Sequence, residues 1–198
     1  MANPNAPFGF RYIGHRDGVS PNFGNRWGFI AEANTNPTFS GDVLDPITSG
    51  FLDVATPTGG GAPVGGVAGW FVWNSKAFGF TIRQNWWPGN GDANGNVSAA
   101  YYADVGSIFE VQALLGPITQ ASVGLNGNFD VGAGGSQAVS GKSSYSLTAV
   151  GAGASLPFKI YGLPNVSGSG GNPIYVLPGY DTTTPYNVVQ VTFNSLSA

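Results

Sequence analysis

The sequence predicts an all-β protein, an antiparallel β-sandwich or barrel with an extended N-terminal arm. Three observations carry that expectation. Apolar and polar residues alternate in short runs, no window sustains a 3.6-residue apolar period over several turns, and Gly, Pro and Asn separate the runs. Glycine (32) and proline (14) are numerous enough to raise disorder as an alternative. Five Trp, eight Tyr and thirteen Phe argue against it, because rings of that size can offset the entropy of ordering the chain. Gly and Pro therefore read as turns.

Taken in order, residues 1–26 hold Pro4, Pro7 and Pro21 among the isolated aromatics Phe8, Phe10, Tyr12 and Phe23. This pattern suits an extended arm latched onto a neighbouring subunit or a capsid better than an element of the chain's own core. Residues 27–198 form a single β-rich domain with candidate strands near 27–31, 51–55, 67–73, 99–104, 107–113, 145–150, 157–162 and 173–177. Two runs alternate most clearly: Phe78, Phe80 and Ile82 against Gly79, Thr81 and Arg83, and Val189, Val191 and Phe193 against Gln190, Thr192 and Asn194. Both are expected to be core strands with one wet face. Pro117 to Ser122 is the best short-helix candidate. Turn residues place loops at Pro57 to Gly66, Pro88 to Asn96, Gly132 to Gly135 and Ser167 to Asn172.

Charged residues make up 9% of the chain, so few charges hydrate a free surface. Either partners cover part of it, or Asn, Ser, Thr and Gln coat a monomer. A net charge of −3 leaves no concentrated basic patch for nucleic acid. The charge is uneven: residues 1–26 carry Arg11, Arg16 and Arg26 against Asp17, while the remainder carries four cations against nine carboxylates. The absence of cysteine excludes disulfides, thiolate nucleophiles and cysteine-ligated zinc. Neither a secretory signal nor an apolar run of membrane-spanning length is evident, so a soluble intracellular product that does not engage membranes is expected.

Catalytic constellations are thin. His15 is the only histidine; a triad with Ser20 and Asp17 would need three close neighbours in an extended segment to be buried and oriented, and no nucleophile elbow occurs. Asp42 and Asp45 flank a turn ending at Pro46, where local side-chain to backbone bonding accounts for them. Glu110 shares a strand face with Ile108 and Gln112, opposite Phe109, Val111 and Ala113, and is expected on a solvated face or a subunit contact. Asn90 to Gly95 resembles a calcium loop with its sixth-position glycine, but Asn90 replaces the first Asp and Tyr101 the closing Glu, so a hairpin tip is expected. No enzyme activity, metal or cofactor is expected. Trp86 and Trp87, with Trp70, Phe71 and Trp73, can serve as core packing, as an interface anchor or as a sugar-stacking platform.

Several segments resemble the head cement or decoration proteins of tailed phages: Pro7-Phe8-Gly9-Phe10-Arg11, Phe39-Ser40-Gly41-Asp42-Val43, Ile108-Phe109-Glu110-Val111-Gln112, Gly124-Leu125-Asn126-Gly127-Asn128-Phe129 and Lys159-Ile160-Tyr161-Gly162-Leu163-Pro164. One departure is local: Tyr102 to Ser107 stands where that pattern has an acidic, proline-containing turn. The resemblance implies a β-rich structural subunit, a homotrimer bound to the major capsid protein on the outer surface of the virion. Candidate interface residues are Phe8, Phe10, Arg11, Tyr12, Phe23, Arg26, Trp86 and Trp87. The competing readings are a carbohydrate-binding β-sandwich, such as a phage adhesin, and a tail or neck subunit.

Overall fold

A computed structural model of the chain describes residues 3–18, 25–59, 61–89, 91–132, 141–164 and 181–196. Its strands are β1 (Arg11–His15), β2 (Asn25–Ile30), β3 (Thr38–Phe39), β4 (Val43–Pro46), β5 (Leu52–Val54), β6 (Gly66–Asn74), β7 (Thr81–Gln84), β8 (Trp86–Trp87), β9 (Val97–Tyr102), β10 (Ser107–Gln112), β11 (Asn126–Asp130), β12 (Ser146–Gly151), β13 (Phe158–Gly162) and β14 (Val188–Phe193). They form a six-stranded sheet in the order β1-β10-β14-β13-β11-β12, a second sheet in the order β2-β9-β6-β4-β5 with β7 added to β6, and a small β3-β8 pair. Neighbouring strands in these sheets run antiparallel, and the two large sheets pack against each other as the sequence predicts. The expected helix is a single 3-10 turn at Gln120–Ser122. The candidate strand at 173–177 and the loop candidates at 132–135 and 167–172 fall largely or wholly outside the described residues.

Cross-strand partners on the inner face of the first sheet are Phe109 with Val191, Val111 with Val189, Phe158 with Phe193 and Ile160 with Val191. Residues opposite one another share a face, so this register gathers the apolar set into one core. Val43, Val64 and Val67 of the second sheet's side close it. A second cluster, including Ile30, Leu44, Phe71, Trp73, Trp87, Val97 and Ala99, lies on the other face of the second sheet. Successive residues therefore serve different cores: Val43 enters the first and Leu44 the second. This two-sided burial explains why β6 reads as an almost continuous apolar run.

The N-terminal arm is a correction. Residues 3–15 join the chain's own fold: β1 pairs with β10, matching Arg11 with Glu110 and Tyr12 with Phe109, and Phe10 is 1% exposed with its ring 4.3 Å from that of Phe158. Prolines 4 and 7 remove donors but do not prevent an extended path. Gly9 makes the entry possible. It adopts φ +79°, and a Cβ there would fall 2.4 Å from Ser143. Upstream, the Gln112 amide donates to Pro4 O at 2.8 Å and its oxygen accepts the Ala6 N–H at 2.9 Å. Glu110 and Gln112 are consequently buried rather than solvated, because the N-terminal segment lies over their face and Arg11 forms an ion pair with Glu110.

Residues 77–83 are the other correction. Strand β7 begins only at Thr81, and Phe78 and Phe80 stand 66% and 61% exposed at a hairpin tip. Hydrogen bonds close this tip: Ser75 N–H donates to Phe80 O at 3.0 Å, and the Asp92 carboxylate accepts the Ala77 N–H at 2.9 Å and the Trp73 indole N–H at 3.1 Å. Turn geometry outweighs apolar alternation there. The C-terminal run is a core strand as expected, with Val189, Val191 and Phe193 all buried, but its opposite face is not wet: Thr192 is buried, and Gln190 and Asn194 are half-buried.

Candidate interaction surface

Two cross-strand rows build an aromatic face on the side of the second sheet that is turned toward the first sheet, beyond the part the first sheet covers. The first runs Trp27, Ala100, Trp70 across β2, β9 and β6, and the second runs Phe29, Ser98, Val72, Arg83 across β2, β9, β6 and β7. Small residues on the central strand let the large ones lean together. The Trp27 and Trp70 rings meet edge to face at 4.6 Å, and Ala100 between them is 1% exposed. The Arg83 guanidinium lies 3.7 Å above the Trp70 ring. Trp27 and Phe29 nevertheless remain 56% and 54% exposed. Isolated surface rings need no explanation, but adjoining rings on a flat sheet face form a patch of the kind that marks interaction sites.

Further along β9 the same face passes under the first sheet. Tyr102, two residues from Ala100, stacks on Tyr12 at 4.2 Å with the rings 3° from parallel. Burial pushes the Tyr102 and Tyr12 phenols above their ordinary range, with nearby Tyr12 and Asp104 respectively adding to the effect. At this border a cavity of about 400 Å³ opens among Phe8, Arg11, Tyr12, Gly69, Tyr102 and Lys142. The Arg11 guanidinium sits 5.4 Å over the Phe8 ring.

The sequence-derived interface residues thus divide. Phe8, Arg11 and Tyr12 gather at the border cavity, and Arg26 is exposed on β2 opposite Tyr101. Phe10 and Trp87 are corrections. Both are core: Trp87 is fully buried with its ring 5.3 Å from Trp73, and Phe10 fills the first core. Trp86 is half-buried and stacked on Phe39 at 5.9 Å, so the Trp86-Trp87 pair forms no open platform. Phe23 lies outside the described residues. Phe29 and Arg83 were missed as members of this face, although Arg83 was expected on the wet side of its strand. The signal available was Trp27 and Phe29 at alternate positions of one strand, with Gly28 and Ile30 on its other face.

His15 is held for structure. Its Nδ1 accepts the Asp17 N–H at 3.2 Å, which leaves Nε2 to donate to Asp104 Oδ1 at 2.8 Å. That bond and the Gly106 N–H hold the Asp104 carboxyl below its ordinary range. Ser20, the third member of the conceivable triad, lies outside the described residues. Among the described residues no cluster of three His, Cys, Asp or Glu could hold a metal ion, and no helix is long and apolar enough to cross a membrane.

Fold and surface define an antiparallel β-sandwich with an aromatic patch on one sheet. Comparison with protein-family models, curated proteins and solved structures finds no match to the chain.

Proposed function

We propose that this chain is a non-enzymatic structural subunit, a cement or decoration protein that binds the major capsid protein on the outer surface of a tailed-phage head as a homotrimer. The observation that carries the reading is the exposed aromatic face of Trp27 and Phe29 beside Trp70, supplemented by Phe78 and Phe80 at the hairpin tip. Aromatic side chains with low ordering cost are suited to anchoring a protein contact. The resemblance of the five quoted segments supplies the identity of the partner. Mechanically, a subunit that binds only the assembled shell shifts the equilibrium away from rupture, and three linked copies multiply weak contacts. Sedimentation of the protein with purified heads, followed by copy-number measurement, tests the reading.

A second reading has an observation of its own. An exposed indole on a flat sheet face is also a sugar-stacking surface, which keeps a carbohydrate-binding adhesin in view. Arg83 lies over the Trp70 ring, however, so Trp27 offers the more open stacking face. Binding on a glycan array without binding to heads would favour that reading.

A further inference from the structure

We propose that a cleft beside Asp42, at the seam between the two large sheets, binds a primary ammonium carried on an alkyl stem. The cleft has a volume of about 300 Å³ and is lined by Pro37, Val54, Ala55, Val131 and Tyr145 around the Asp42 carboxyl. That size is at the small end of ligand pockets, which run from roughly 300 to 1,000 Å³, so a short stem fits it better than a large organic cation.

Asp42 is 1% exposed. Its Oδ2 accepts the Phe39 N–H at 2.8 Å, closing the turn between β3 and β4, while Oδ1 is buried without a hydrogen bond. No cation compensates it: every Lys and Arg of the sequence falls among the described residues, and none forms a salt bridge with Asp42. A buried carboxylate left in this way is costly, and a cation bound beside it relieves the cost.

The surrounding groups add to the negative potential. Asp45 accepts the Gly65 N–H at 2.8 Å, and Asp53 accepts the Asn34 and Asn36 amides, each at 3.0 Å. Tyr145, whose hydroxyl donates to Ala55 O at 3.1 Å, has its phenol pushed up by burial and then by Asp42, Asp53 and Asp45. Burial likewise raises the Asp42 carboxyl to about 7, opposed by the nearby Ser143 hydroxyl and by the Phe39 N–H hydrogen bond.

The donor set selects the ligand. One carboxylate among apolar walls lacks the six to eight oxygens that calcium takes. A guanidinium fork needs both carboxylate oxygens, and Oδ2 is already engaged by Phe39. A point-like ammonium carries three donors, of which Oδ1 can accept one while the others reach Thr56 or water at the cleft mouth, and its stem matches the apolar walls. The ammonium can come from a free alkylamine or from a lysine side chain of another protein.

The test titrates the full chain at constant ionic strength and follows its amide NMR spectrum. The probes are n-butylammonium, n-butanol, sodium, and a capped Gly-Gly-Lys-Gly-Gly peptide. Butylammonium is expected to cause saturable shifts at Val54, Ala55 and Gly132 at pH 8, at least tenfold weaker at pH 5 and lost in Asp42→Asn. Shifts with butylammonium alone assign a free amine, and shifts that include the peptide assign a lysine side chain. Absence of saturable shifts with both, equal shifts with butanol or sodium, or equal affinity at the two pH values overturns the proposal. The pH and butanol comparisons use the unaltered chain, so the test stands even if the Asp42 variant fails to fold.

Discussion

The indole of Trp27 meets that of Trp70 edge to face at 4.6 Å across Ala100, joining the edge strand β2 to β6 over β9 on the part of the second sheet's face that the first sheet leaves uncovered. Such a pair contributes about 0.5–1.5 kcal/mol beyond the area it buries. Trp27→Ser is therefore expected to lower unfolding free energy by about 1 kcal/mol and to leave the far-UV CD spectrum unchanged. Urea denaturation checks it. A loss of cooperative unfolding would mean that Trp27 is part of the core and not a surface ring.

Phe10 makes the opposite case. Its burial against Phe158 predicts that Phe10→Ala costs about 3–5 kcal/mol, the usual range for a buried ring. Deleting residues 1–15 removes both this ring and the strand over Phe109, and is expected to abolish the cooperative transition. A truncated chain that melted normally would restore the separate arm that the sequence first indicated.

Those two residues show how far the sequence could be read. Strands such as β14 were legible because apolar alternation marks Val189, Val191 and Phe193, which are buried, although the burial of Thr192 on the opposite face was not foreseen. The N-terminal segment was misread because its prolines and glycines mask a short strand whose partner, β10, lies about a hundred residues away. Long-range pairing leaves little local signal. At Phe78 and Phe80 the period-2 pattern was present, but the bonds that Trp73 and Ala77 donate to Asp92, which impose the turn, could not be seen. The aromatic face was half legible: Trp27 and Trp70 were visible as large rings, yet only the register over Ala100 brings them together.

The Asp42 carboxyl gives a pH signature. Its folded value of about 7 stands above the ordinary 3.8, so the neutral form is favoured by folding. The associated stability is complete below pH 4, declines as pH rises toward 7 and then levels off. A shift of that size corresponds to on the order of 4 kcal/mol. Asp42→Asn keeps an oxygen for the Phe39 N–H and is expected to flatten this decline. Melting curves from pH 4 to 9 on both proteins check it, and an equal slope in the variant would assign the decline to another group.

The oligomer expectation is open to light scattering. Sparse charge and an exposed aromatic face favour a trimer at micromolar concentration, with a mass three times the 20.3 kDa of one chain. A monodisperse monomer would confine trimerisation to the capsid surface.

The most direct measurement of the proposed role is co-sedimentation with purified tailed-phage heads, comparing the unaltered protein with a Trp27→Ser/Trp70→Ser variant. The account predicts saturable binding at a copy number divisible by three and a higher head-rupture temperature. It also predicts at least tenfold weaker binding by the variant, whose fold is retained. Failure of the unaltered protein to sediment with heads, or identical occupancy by the variant, would contradict it.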